Sequence, residues 1–212
     1  NGDWVFTDDS YTTGRTENHN TLLVNGIGQE GDYSATDQLG LGLDITEKLK
    51  RFTVAQPKII QSVSAKEYAY LVADGTEAYP KELGMCKFYR HFLYLKPEKM
   101  LLIADEIEGE KENTYSIRFR PYSQQSQMPD SNTYRYVGKN TWTDIQIFGD
   151  SDTVITNQTE NLLHGKDGGT TSALILQAQK SAKNWISISA VSWAENGVQP
   201  AKVTMRNEDG IY

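Results

Sequence analysis

Short alternating runs dominate the chain. Strand-sized runs, several of them with apolar and polar positions in alternation, are Thr21–Asn25, Lys87–Leu95 (KFYRHFLYL), Thr114–Phe119, Thr133–Val137, Asp144–Phe148, Ala173–Gln179, Trp185–Ser192 and Lys202–Arg206. Residues two apart share one face of a strand, so this period predicts half-buried β-strands. Ile59–Val72 reads as one long strand with Tyr68, Tyr70 and Val72 on one face, and Met100–Ile107 follows a Lys96-Pro97 turn signal. Ten or so antiparallel strands with turn residues between them predict an all-β fold, a large β-sandwich with little helix, in one domain over 1–212. Only Asp44–Phe52 (DITEKLKRF) reads as a helix, with Asp44 as N-cap and Glu47 three residues later. The Gly-rich stretch Gly26–Gly42, which holds Asp32 and Asp37, reads as a long ordered loop of the kind that carries function.

Composition narrows the function classes. The chain has 212 residues, 21 Lys+Arg against 28 Asp+Glu, and a formal net charge of −7. That balance argues against a nucleic-acid partner, which favours a basic face. It leaves room for a polyanionic sugar held in a local Arg/Lys cleft. No apolar run approaches the roughly 20 residues that span a bilayer. The single cysteine, Cys86, reads as a small buried hydrophobe and reports nothing about redox compartment. The chain starts Asn1-Gly2-Asp3, without Met or a signal peptide, and reads as a fragment.

Three histidines can be weighed singly. His91 sits mid-strand and reads first as a packed strand histidine. His164 lies in a polar loop segment. His19, flanked by asparagines and preceded by Arg15, stands before a strand and a Gly-rich acidic loop. Two His with one Asp would make a mixed N/O set that suits zinc. Arg15 reads equally as an anion-binding cation or as the partner of Glu17 or Asp9. The acidic pairs Asp8-Asp9 and Asp105-Glu106 read as solvated faces. No Gly-x-Ser-x-Gly, P-loop or His-Glu-x-x-His motif is present, and no dinucleotide fingerprint follows a βαβ pattern.

Three segments, taken in order, resemble the heparinase II/III-like family. They are Tyr11–Gln29 (YTTGRTENHNTLLVNGIGQ), Tyr70–Pro80 (YLVADGTEAYP) and Arg90–Glu108 (RHFLYLKPEKMLLIADEIE). They cover about the first half of the chain; the second half matches only as generic sandwich strands. The resemblance implies a polysaccharide lyase acting by β-elimination on uronic-acid polymers such as heparin, heparan sulfate (both glycosaminoglycans) or alginate. It implies a β-sandwich that follows an N-terminal α/α-toroid, a domain this chain does not contain. His19 matches the histidine of the family's H-N-T-L segment, so the resemblance implies His19 as an active-site wall residue, and Arg15 immediately upstream is positioned to supply a charge that stabilises the developing dianion. The implied zinc ligands are His19, His91 and Asp37, with Asp32 as the second choice of Asp. Glu17 stands where some members carry another His. The resemblance further implies a periplasmic or secreted bacterial protein, a uronic-acid polysaccharide as partner, a homodimer, and no activity in the isolated chain.

Two other classes stay open at this stage. One is a non-catalytic carbohydrate-binding sandwich, for which Trp142, Trp185 and Trp193 are candidate stacking residues. The other is a purely structural domain.

Overall fold

The computed structural model describes residues 2–8, 14–32, 35–163 and 169–206. Among the described residues there are ten strands: β1 (Leu22–Val24), β2 (Lys58–Ser64), β3 (Tyr68–Asp74), β4 (Met85–Leu95), β5 (Met100–Phe119), β6 (Ser126–Asp130), β7 (Thr133–Val137), β8 (Thr141–Phe148), β9 (Val154–Leu163) and β10 (Thr170–Glu195). Two helices, α1 (Ala35–Gln38) and α2 (Ile45–Val54), join β1 to β2. Every ladder is antiparallel. The fold is the all-β sandwich that the alternation predicts.

Two long strands build both layers. The first half of β5 and the second half of β10 lie at the centre of the order β2-β3-β4-β5-β10-β8-β7-β6. The second half of β5 pairs with β1, and the first half of β10 pairs with β9. Where the two strands pass from one layer to the other, their register shifts between Ala182↔Asn113 and Asn184↔Glu108, with the extra residues in β5. A bulge of this kind bends and twists a strand locally. The two inner faces then meet in one core. Leu22, Val24, Ile117 and Phe119 from one layer pack with Phe88, Ile103, Ile107, Ile145 and Val191 from the other.

Several sequence expectations change. Ile59–Val72 is two strands, because the chain reverses through 65–67 without any Gly or Pro to signal a turn. Met100–Ile107 and Thr114–Phe119 are one strand, as are Ala173–Gln179 and Trp185–Ser192. Lys202–Arg206 forms no strand; the Gln146 side chain instead accepts from Val203 N and donates to Val203 O. Cys86 is exposed rather than buried, since it falls at the irregular step between Met85 and Lys87 in the β4–β5 register. Asp105 is buried, not solvated, because Arg90 neutralises it from the neighbouring strand. Asp9 and His164 lie outside the described residues.

Candidate functional site

The segment that carries His19 is pinned from several sides. Thr16–Asn18 makes one 3-10 turn, and His19 caps it by donating its backbone N–H to Thr16 O. The chain then enters β1. Asn25 and Gly26 both have positive φ, and Val24 and Ile27 exchange backbone hydrogen bonds across them. Asn-Gly is the pair that tolerates this left-handed turn. The reversal brings Gln29 back, so that its N–H donates to Thr16 Oγ1, while Asp32 accepts from Thr16 N at 2.7 Å. Gly28 sits so close to Thr16 and Asp32 that a Cβ would lie 2.3 Å from Thr16 Oγ1.

The two flanking asparagines fasten the segment to the sandwich. Asn18 is fully buried and donates to Leu163 O. Asn20 accepts from Arg120 N and donates to Thr7 O. The Asn20 carbonyl accepts from Arg90 Nη1 at 2.8 Å. Arg90 is itself bound to Asp105 through two contacts, 2.6 and 3.0 Å. Burial works against charge on Arg90, but the Asp105 carboxylate overrides it and leaves the guanidinium pKa raised. An ion pair 70 residues downstream thus sets the path of the backbone beside His19.

The His19 imidazole itself is open. Its side chain is 36% exposed, and Nδ1 lies 4.0 Å from Asp8 Oδ2. Arg15 stands four residues upstream, with a loose 3.4 Å contact to Glu17. Among the described residues the Arg15 Nε–H is buried without a partner. Arg120 adds one more guanidinium next to the segment, while the Arg118 guanidinium is taken by Gln177 and Glu160 and touches the segment only through its backbone. The Arg118 N–H donates to Thr21 O, and Arg120 Nη1 reaches Asn18 O at 3.4 Å. Sequence reading missed Arg90, Arg118 and Arg120. An Arg-x-Arg repeat at strand period in an acidic chain was the available signal.

The expected metal ligands are not brought together. Side chains alternate along β4, so Arg90, which reaches Asn20, and His91 project from opposite faces. His91 lies on the outer face, where its Nδ1 meets the Tyr70 hydroxyl at 2.8 Å and its Nε2 lies 3.2 Å from Glu106 Oε1. Asp37 pairs with Lys48 of α2 at 2.6 Å, and Asp32 is used by the Thr16 amide. Among the described residues no three His, Cys, Asp or Glu side chains form a group that could hold a metal ion. A zinc site needs donors about 2.0–2.3 Å from one point, so the residues as placed do not fit zinc.

The aromatic candidates are also partly spoken for. Trp185 is buried, Trp193 stacks on Tyr94 at 5.9 Å, and the Arg135 guanidinium lies 4.5 Å from the Trp142 ring.

Comparison with known proteins agrees with this architecture. No curated protein matches the sequence. Among solved structures, heparan sulfate lyase HepC from Pedobacter heparinus has a TM-score of 0.65 at 13% identity, covering 100% of this chain and 30% of that one. A structure of heparinase III has a TM-score of 0.62 at 16% identity, covering 90% and 28%. A second heparinase III structure gives 0.65 at 11%, covering 92% and 28%. The chain therefore spans about 30% of the length of these structural relatives, and the likeness concerns the fold. The family model described as heparinase II/III-like, C-terminal, matches residues 7–200, and the chain belongs to that family.

Proposed function

We propose that this chain is the β-sandwich part of a polysaccharide lyase that cleaves uronic-acid polymers by β-elimination. The observation that carries the reading is the His19 segment: an open imidazole and a buried, unspent Arg15 donor on a backbone clamped at Thr16, Asn18 and Asn20. Such rigidity is what a catalytic wall requires, because donors must be aimed in advance at the place where charge develops.

In the reaction a base removes the proton α to the uronate carboxylate, a C=C bond forms, the glycosidic C–O bond breaks, and the leaving oxygen takes a proton. The difficult species is the carbanion conjugated to a carboxylate. Arg15 supplies positive charge to that carboxylate, and Arg15 and His19 supply hydrogen bonds to it. The base and acid come from an N-terminal α/α-toroid in the same polypeptide. The reading implies a periplasmic or secreted protein, and an isolated chain that binds but does not cleave.

The test is elimination by the toroid-containing protein, followed by the ultraviolet absorbance of the unsaturated product. His19→Ala lowers kcat by about 10²–10⁴-fold if His19 acts in the reaction. Full activity in that variant, or clear turnover by the 212-residue chain alone, would refute the assignment.

A further inference from the structure

A surface helix ordinarily lays its apolar stripe on the body of the protein and turns its charges to water. In α2 the arrangement is reversed. Two of its cations are spent on the body: Lys48 pairs with Asp37 at 2.6 Å, and Arg51 is held by Glu82 through contacts of 2.7 and 3.0 Å and touches Glu30 at 3.4 Å. The stripe at i, i+4 and i+7 stays open. Ile45 is 71% exposed, and Leu49 and Phe52 are each 56% exposed. No residue of α2 is buried. Half of the sixteen large apolar side chains that stand exposed among the described residues lie between Ile45 and Tyr68. β2, the next element, ends the strand order and is exposed along its whole length.

A helix of ten residues is marginal in water on its own. Apolar surface concentrated in one stretch marks an interaction site. Position and length say what covers it. Phe52 lies over Gly31, so near that a Cβ there would come within 2.2 Å of the ring. On either side of Gly31, Gln29 donates to Thr16 Oγ1 and Asp32 accepts from Thr16 N. α2 is therefore two contacts away from the segment that carries Arg15 and His19. A body that brings a base and an acid to that segment comes alongside α2. The chain also spans only about 30% of the length of its structural relatives, so in proteins of that size there is polypeptide enough to cover the helix.

We propose that the Ile45, Leu49 and Phe52 stripe of α2 seats the N-terminal domain of the same polypeptide, and that Phe52 and Gly31 pass the position of that domain on to the His19 segment. The helix then acts as a spacer. It sets how far Arg15 and His19 stand from the base and acid, a distance on which the rate depends steeply. The identity of the occupant rests on the lyase reading above; the open stripe does not.

The experiment is hydrogen–deuterium exchange, read by mass spectrometry over residues 44–55, in the 212-residue chain and in the toroid-containing protein. Exchange in α2 is slower in the longer protein by about tenfold or more. Ile45→Glu with Leu49→Lys puts opposite charges one turn apart, which supports the helix itself. In the 212-residue chain this pair of changes leaves the urea midpoint where it was. In the toroid-containing protein it abolishes the protection and lowers kcat about tenfold or more. Met128→Glu, at a position on β6 that is 58% exposed, changes neither. Equal exchange of α2 in the two proteins overturns the proposal. So does protection that rises with the concentration of the 212-residue chain, which would make a second copy the occupant. An inactive toroid-containing protein that still protects α2 would refute the lyase reading and leave the seat standing, whereas an active one with α2 unprotected would refute the seat alone.

Discussion

Strands β4 and β5 carry two ion clusters a few residues apart and on opposite faces. On the inner face Arg90 and Asp105 are directly opposite in register, almost wholly buried, and joined by two short contacts. On the outer face Lys87 contacts Glu106 at 2.5 Å and Glu108 at 3.5 Å, while His91 links Glu106 to Tyr70. The charges are of the same kinds and the ladder is the same. What differs is water. A buried charge cannot lose its partner without a large cost, so Arg90 and Asp105 hold each other and the Asn20 carbonyl in one arrangement. The outer cluster stays half-solvated and adjusts cheaply.

The contrast can be broken first at its buried member. Asp105→Ala leaves the Arg90 guanidinium buried and unpaired, and urea denaturation should show a loss of about 3–5 kcal/mol. The double change Arg90→Met with Asp105→Leu should recover most of that stability. It should still shift the amide resonances of residues 18–21, because the contact to Asn20 is gone. A double variant as unstable as Asp105→Ala would mean that the site needs charge and not merely packing.

The outer cluster responds less. Tyr70→Phe removes one hydrogen bond to His91, and should cost about 0.5–1.5 kcal/mol in the same measurement. A loss as large as that of Asp105→Ala would show that the outer face is as tightly organised as the inner one.

Lys87→Ala is the mildest, at about 0–1 kcal/mol, and its effect depends on pH. The hydrogen bond from Lys87 holds the Glu106 carboxyl below its ordinary value, with desolvation opposing it. A depressed carboxyl adds stability above its unfolded pKa, and that stability fades as pH falls through the folded pKa. Denaturation curves of Lys87→Ala and the parent chain should therefore differ at neutral pH and converge in acid. Curves that stay parallel would exclude the ion pair as the cause.

What could be read in the sequence was local. Thr133–Val137 alternates cleanly between turn residues and is a strand with those bounds. Asp44 caps α2 as its spacing with Glu47 suggests, accepting from Thr46 N and Glu47 N. Failures came where a local signal was silent or misleading. β9 is too polar to stand out, and Pro129 interrupts the β-forming pattern of β6. β5 joins two runs that read as separate strands, although its register with β10 skips residues 109–112. At the site, His19 was legible as part of a motif, whereas Arg90, Asp105 and Asn20 meet across 15 to 85 residues of chain. Hydrophobic period carries no record of such meetings. The grouping of His19 with His91 failed for a related reason: nothing in the spacing said that Arg90 would take the inward position.

The sharing of β5 and β10 between the layers bears on how the sandwich comes apart. In a sandwich whose layers own separate strands, one layer can open while the other survives. Here each of the two central strands is hydrogen-bonded in both, so peeling either layer removes backbone partners from its neighbour. The core behaves as one cooperative unit, and forming it requires pairings distant in sequence, which is slow. A frame of this kind gives the segment around His19 a footing that cannot open piecemeal.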